Sequence, residues 1–201
     1  MLKKPVLLSL LASLFLVLGA CANDNDSNKE DTANKEDTKE TENEESEKDM
    51  EGMDHSDMDH SSSGEVPEGL KAAENPTYKV GSKAIIETGH MEGMKGAEAT
   101  IVGAYDTTAY AISYTPTNGG ERVENHKWVI HEEIPDAGEE SLKPGAEVTI
   151  DASHMKGMDG ATAEIDSAEQ TTVYMIDYTP TTGGEEVKNH KWVTESELSA
   201  K

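Results

Sequence analysis

The C-terminal part of this chain is written twice, and that duplication limits the folds open to it. Laid on itself at an offset of 64 residues, the segment from Tyr78 to Ile134 matches Leu142 to Leu198 without a gap, and roughly half of the aligned positions are identical. HMEGMKGA (His90 to Ala97) faces HMKGMDGA (His154 to Ala161), and YTPTNGGERVENHKWV (Tyr114 to Val129) faces YTPTTGGEEVKNHKWV (Tyr178 to Val193). The two repeats occupy residues 76–135 and 141–199, joined by a short polar stretch from Pro135 to Ser141. Units of this size seldom build a sufficient core alone and need a metal, a partner or each other.

The local pattern is that of strands. Tyr110, Ile112 and Tyr114 alternate with Ala111 and Ser113, and Tyr174, Ile176 and Tyr178 repeat the alternation, which predicts one buried and one solvated face. Further strands are expected at 83–88, 97–105 and 123–130, with equivalents at 147–152, 161–169 and 187–194. Gly119-Gly120 and Gly183-Gly184, each following a Thr-Pro, mark hairpin turns. No stretch of ten residues carries a helical period. The expected fold is all-β, a tandem pair of small SH3-like barrels whose closure hides their strand edges.

The N-terminus has a different character. Lys3 and Lys4 precede an apolar run from Val6 to Leu18, and Leu18-Gly19-Ala20-Cys21 ends it as a lipobox. The run has about 13 residues, short of the roughly 20 that a helical span requires. Residues 1–20 are therefore expected to be a cleaved signal peptide, and Cys21, the only cysteine, a lipid-bearing residue that anchors the chain to the outer face of a cell membrane. A single cysteine excludes an intramolecular disulfide. Residues 22–68 hold 18 acids against 4 lysines and barely an aliphatic side chain, so residues 21–75 are expected to form a disordered acidic tether. With a net charge of −24 over the whole chain, nucleic acid is not an expected partner, whereas cations are.

Methionine and histidine are unevenly placed. Met50, Met53, His55, Met58 and His60 crowd into MEGMDHSDMDH in the tether. In the repeats His90, Met91 and Met94 match His154, Met155 and Met158, and His126 matches His190, whereas His131 faces Glu195 and has no counterpart. Thioether sulfur binds Cu(I) without competition from protons, and imidazole serves both copper oxidation states. Outside the cytoplasm methionine also avoids the oxidation that a thiolate suffers. These residues are therefore candidate copper ligands, with Cu(I) favoured and no organic cofactor. The structural alternative for HMxGM is a turn in which Gly93 and Gly157 adopt unusual backbone angles and the methionines fill the end of a core. For His126 and His190 it is packing beside Trp128 and Trp192.

At the HMxGMxGA and NHKWV blocks the chain resembles the YdhK-like lipoproteins of Gram-positive bacteria, over the lipobox, the acidic tail and both repeats. Some relatives, the CopL-type proteins, are implicated in copper resistance as surface copper-binding lipoproteins, often encoded near copper exporters. The resemblance implies copper sequestration at the cell surface, with an exporter as a candidate partner. Two other readings stand beside it. Tandem SH3-like modules can bind cell-wall polymer or protein with no metal role. An enzyme is not expected, because no nucleophile and base share a recognisable setting and a blue-copper centre needs a cysteine ligand.

Overall fold

In the computed structural model residues 61–201 are described. The signal peptide, Cys21 and the tether ligands Met50, Met53, His55, Met58 and His60 lie outside the described residues. The fold is all-β and antiparallel. Its strands are β1 (Lys71–Ala72), β2 (Lys83–Ile86), β3 (Glu98–Tyr114), β4 (Val123–Ile130), β5 (Glu147–Thr149), β6 (Thr162–Tyr178), β7 (Val187–Thr194) and β8 (Leu198–Ala200). Short 3₁₀ turns at His131–Glu133 and Glu195–Glu197 follow β4 and β7.

Two strands of 17 residues dominate. The sequence suggested two strands in each place, with a break near Asp106-Thr107-Thr108. No break occurs, because that stretch has no Gly, Pro or Asn to turn the chain and its threonines are β-branched residues that favour extension. β3 and β6 pair along nearly their whole length, from Ala99 with Tyr178 to Tyr114 with Ala163. At the centre Thr107 pairs with Thr171, its own equivalent in the other repeat. The repeats are thus related by a pseudo-two-fold axis through that pair.

This pairing determines how the cores are assembled. One core joins Ala84, Ile86, Met94 and Ile101 of the first repeat to Tyr174, Ile176, Val193 and Leu198 of the second. The other joins Tyr110, Ile112, Val129 and Ile134 of the first to Ile150, Met158, Ala161 and Ile165 of the second. Each barrel-like lobe therefore takes the front half of one repeat and the back half of the other. Neither lobe is a single repeat folded on itself.

A third cluster lies between them, built from Ala109, Ala111, Trp128, Ile130, Val173, Met175 and Trp192. It changes the reading of the Tyr110–Tyr114 alternation. The face expected to be solvated is buried, with Ala111 at 0% and Ser113 at 7% exposure, because the tryptophans and β-strand neighbours cover it.

Residues 62–72, expected to belong to the tether, are bonded to the folded part. Ser62 N–H donates to the Lys188 carbonyl at 2.9 Å, and Asn189 Nδ2 donates to the Ser62 carbonyl at 3.1 Å. β1 pairs with the middle of β3, and Leu70 packs on the third cluster. A few backbone bonds and one leucine are enough to hold this stretch, a local signal that averages away over a 47-residue segment rich in acids.

Equivalent hydrogen bonds secure the two lobes. Leu142 N–H donates to the Tyr110 hydroxyl, whose partner on the other side is His131 Nδ1 at 2.8 Å. Tyr78 N–H donates to the Tyr174 hydroxyl, which donates to Glu195 at 3.1 Å. His131 and Glu195 thus do the same job with different chemistry.

Because each core needs both repeats, residues 76–141 expressed alone should show no cooperative thermal transition as a monomer, and should fold only by pairing with a second copy. Sedimentation across a concentration series checks this. Burial pushes Tyr114, Tyr174 and Tyr178 up to about 12. Their folded values lie above the ordinary 10, so the stability they confer is complete below about pH 10 and is lost as pH rises towards 12. Melting temperature against pH, with tyrosinate absorbance followed in parallel, should show that coupled decline.

Candidate functional site

The two HMxGM turns and the two NHKW strands converge on one cleft of about 690 Å³. His90, Met91, His126, His154, Met155 and His190 all line it. The turns reach it because their glycines permit a tight reversal. Gly93 and Gly157 have φ of 74° and 84°, a region that L side chains rarely adopt. Each lies under the Thr-Pro-Thr turn of the other repeat, and the backbone bonds Thr181 N–H to the Gly93 carbonyl (2.8 Å) and Thr117 N–H to the Gly157 carbonyl (2.9 Å) fix the contact. A Cβ at Gly93 would stand 2.5 Å from Thr182 Oγ1, and one at Gly157 would stand 2.5 Å from Asn118 Oδ1.

The motif divides by role. Met94 and Met158 are completely buried, one in each lobe core, and do not line the cleft. Their thioethers fill core space, as the structural alternative for this motif expects. Met91 and Met155 are only partly buried and face the cleft. The Tyr114 hydroxyl donates to Met155 Sδ at 3.8 Å.

In the NHKW strands Asn125 and Asn189 have φ of 51° and 52°, and the Lys127–Trp128 and Lys191–Trp192 peptides are cis. His126 and His190 are buried at 6% and 8% exposure. The edge of His126 meets Tyr114 at 6.0 Å between ring centres, and His190 meets Tyr178 in the same way at 5.8 Å. His126 also lies 6.4 Å from His154 of the other repeat. The tryptophans turn instead into the central cluster, and Trp128 stands 6.4 Å from His90.

Two carboxylates that no sequence motif marks, Glu133 and Glu197, complete the site. His154 Nε2 lies 2.7 Å from Glu133, and His90 Nε2 lies 2.7 Å from Glu197. The same carboxylates accept the indole N–H groups of Trp192 (3.1 and 3.2 Å) and Trp128 (2.8 Å) and the backbone N–H groups of Ile130 (3.0 Å) and Thr194 (2.9 Å). Each histidine therefore bonds to an acid of the opposite repeat, which in turn binds the tryptophan of the histidine's own repeat. Burial is the largest influence on Glu197 and pushes its carboxyl up, but the bonds from His90, Thr194 and Trp128 together outweigh it and hold it below the ordinary carboxylate range. The signal for these acids was in the duplication: Glu133 and Glu197 coincide, whereas their neighbours Glu132 and Ser196 differ.

Nδ1 of His90 and Nδ1 of His154 are buried without a hydrogen-bond partner. Among the described residues no three His, Cys, Asp or Glu side chains are gathered into a ready cage. The donors that meet here are imidazoles with thioethers beside them. The rim is mixed in charge. Glu65, Glu68, Glu132, Glu133 and Asp151 outnumber Lys127 and Lys191, and those lysines lie over the rings of Trp128 and Trp192 at 5.4 and 5.7 Å. Burial holds the Lys191 ammonium below its ordinary value, opposed by Glu133 and Glu65. Ser62, Ser63 and Glu65 to Glu68 line the same cleft, and Lys191 Nζ donates to the Glu65 carbonyl. His131 lies apart, bonded through Nε2 to the Gly138 carbonyl at 3.0 Å.

Fold and site together define a class: a duplicated all-β protein whose repeats exchange halves and enclose a histidine- and methionine-lined cleft. The chain belongs to the family described as "Protein of unknown function (DUF1541)", whose model matches residues 80–131 and 144–195. It is 61% identical over 192 residues to a Bacillus subtilis protein named "Uncharacterized protein YdhK", covering 96% of this chain and 87% of that one. A 2.00 Å crystal structure of that DUF1541 protein from B. subtilis aligns with a TM-score of 0.70 at 73% identity, over 73% of this chain and all of the other. The solution structure of the YdhK C-terminal domain aligns with a TM-score of 0.59 at 76% identity, over 61% of this chain and 93% of that one.

The division of the HMxGM motif is open to test. Met94→Ala and Met158→Ala should each lower unfolding stability by about 2–5 kcal/mol while leaving metal affinity of the folded fraction within about twofold. Denaturant unfolding and metal titration on the same samples measure both.

Proposed function

We propose that this protein is an exported, lipid-anchored copper-binding protein that takes up Cu(I) through histidine and methionine in the cleft and in its acidic tether. It would sequester the ion at the extracellular face of the membrane and so confer copper resistance. The observation that carries this reading is the convergence of His90, Met91, His126, His154, Met155 and His190, from both repeats, on one cleft. Neutral nitrogen beside thioether sulfur is a donor set suited to Cu(I) and poorly suited to calcium or magnesium, which take oxygen. The buried Nδ1 atoms of His90 and His154 add support, since a buried acceptor with no partner is costly unless something binds it. The lipobox at Cys21 supports a location outside the cytoplasm, where an exporter would be a source of the ion.

Binding is favoured over catalysis because the cleft gathers ligands and no activated nucleophile. The cell-wall alternative relies on exposed aromatic rings. It has less support, because Tyr110, Tyr114, Tyr174 and Trp192 are fully buried and Trp128 nearly so.

Anaerobic titration of residues 22–201 with Cu(I) against a chromophoric chelator tests the proposal. The wild-type chain should bind tightly and saturably. Replacing His90, His126, His154 and His190 by alanine should weaken the cleft by at least about tenfold, roughly 1.4 kcal/mol, with circular dichroism verifying the fold. Deletion of residues 50–60 should lower the stoichiometry and leave the cleft affinity in place. A wild-type chain that does not compete with the chelator would end the copper reading.

A further inference from the structure

Accepting the cleft as a copper site, we propose that Glu197 and Glu133 are positioning residues that lock the proton of His90 and His154 on Nε2, leaving Nδ1 as the metal-binding atom of each ring. Each carboxylate receives a tryptophan indole N–H and a backbone N–H, neither of which can act as an acceptor. An ionised carboxylate only accepts, so the ring nitrogen 2.7 Å away donates to it. In a neutral imidazole that leaves the lone pair on Nδ1.

Those Nδ1 atoms are alike in the two copies. Both are buried, neither has a protein hydrogen-bond partner, and both rings line the cleft beside Met91 and Met155. A carboxylate that fixes the tautomer of a ligating histidine also raises its basicity, and such outer partners typically change metal affinity by about 10–100-fold. Because Glu133 serves His154 and Glu197 serves His90, each ligand is oriented by the repeat it does not belong to. One half of the cleft can therefore be perturbed while the other serves as an internal control.

Long-range proton–nitrogen correlation spectra of the ¹⁵N-labelled chain from residue 22 onward test this before any metal is added. The C-terminal domain of the 76%-identical relative has a solution structure, so such spectra are attainable. The expected result is a Nε2–H tautomer at both His90 and His154, with anaerobic Cu(I) then shifting the Nδ1 resonances while Nε2–H persists. Glu133→Gln turns an amide N–H₂ towards one of the three donors. It should move His154 to the Nδ1–H tautomer and weaken Cu(I) binding about 10–100-fold, with His90 unchanged. Nδ1–H or doubly protonated rings in the wild-type chain would overturn the proposal, and that readout does not depend on any variant folding. So would Cu(I) binding through Nε2, or an unchanged affinity in a Glu133→Gln chain whose tautomer has switched. The expected wild-type tautomer with no response to Cu(I) would instead overturn the copper reading and uphold the role of the carboxylates in fixing the proton.

Discussion

The antiparallel pairing of β3 with β6 is the interaction on which the rest of this molecule depends. At about 3.3 Å per residue each strand runs roughly 55 Å, long enough to leave one lobe and enter the other. Because the register passes through Thr107 opposite Thr171, the core packing that one repeat makes at one end recurs from its twin at the other. A small unit that could not bury a core alone thereby acquires one, since each lobe borrows half its apolar residues from the other copy. The central cluster around Trp128 and Trp192 then locks the crossing, joining residues of both repeats in one packed group.

The same exchange builds the cleft. Without it His154 would have no Glu133, nor His90 its Glu197, because each bond crosses from one repeat to the other. The turn that presents His90 and Met91 rests through Gly93 on the Thr-Pro-Thr turn of the second repeat, and its twin rests through Gly157 on the first. Strand register, turn docking and histidine orientation are therefore consequences of a single pairing. This couples site geometry to folding: a change that loosens the long strands also moves the imidazoles.

Much of the local structure was legible in the residues. The alternation in 123–130 and 187–194 marks β4 and β7 to the residue, and the matched HMxGM and NHKW blocks hold the histidines that meet in the cleft. The pairing between repeats was not legible, for a physical reason. Twin sequences offer nearly the same apolar face to each other as to themselves, so periodicity cannot say which twin a strand packs against. Thr107 and Thr108 read as a gap only because they lack the large apolar side chains flanking them. Glu133 and Glu197 were hidden among 41 acids. Within HMxGM the spacing alone does not show that the first methionine faces the cleft and the second fills the core.

Where the repeats differ is as informative as where they agree. At the outer supports the chemistry has changed: His131 answers Glu195 behind the tyrosines, and Ser113 answers Asp177, each receiving the N–H of the asparagine before its histidine at 3.1 and 2.7 Å. The extended segment from Ser62 to Glu68 contacts the second NHKW block through Asn189 and Lys191, which makes the two halves of the cleft unequal. Around the buried imidazoles nothing has changed: His, Met, Glu and Trp occupy both copies. A purely structural role would ask only that these positions be filled, as Tyr110 and Tyr174 show by accepting different partners for the same hydroxyl. An acid, an indole and an imidazole kept together in both copies, with the second nitrogen of His90 and of His154 left open, are what the proposed binding role asks of a polar network.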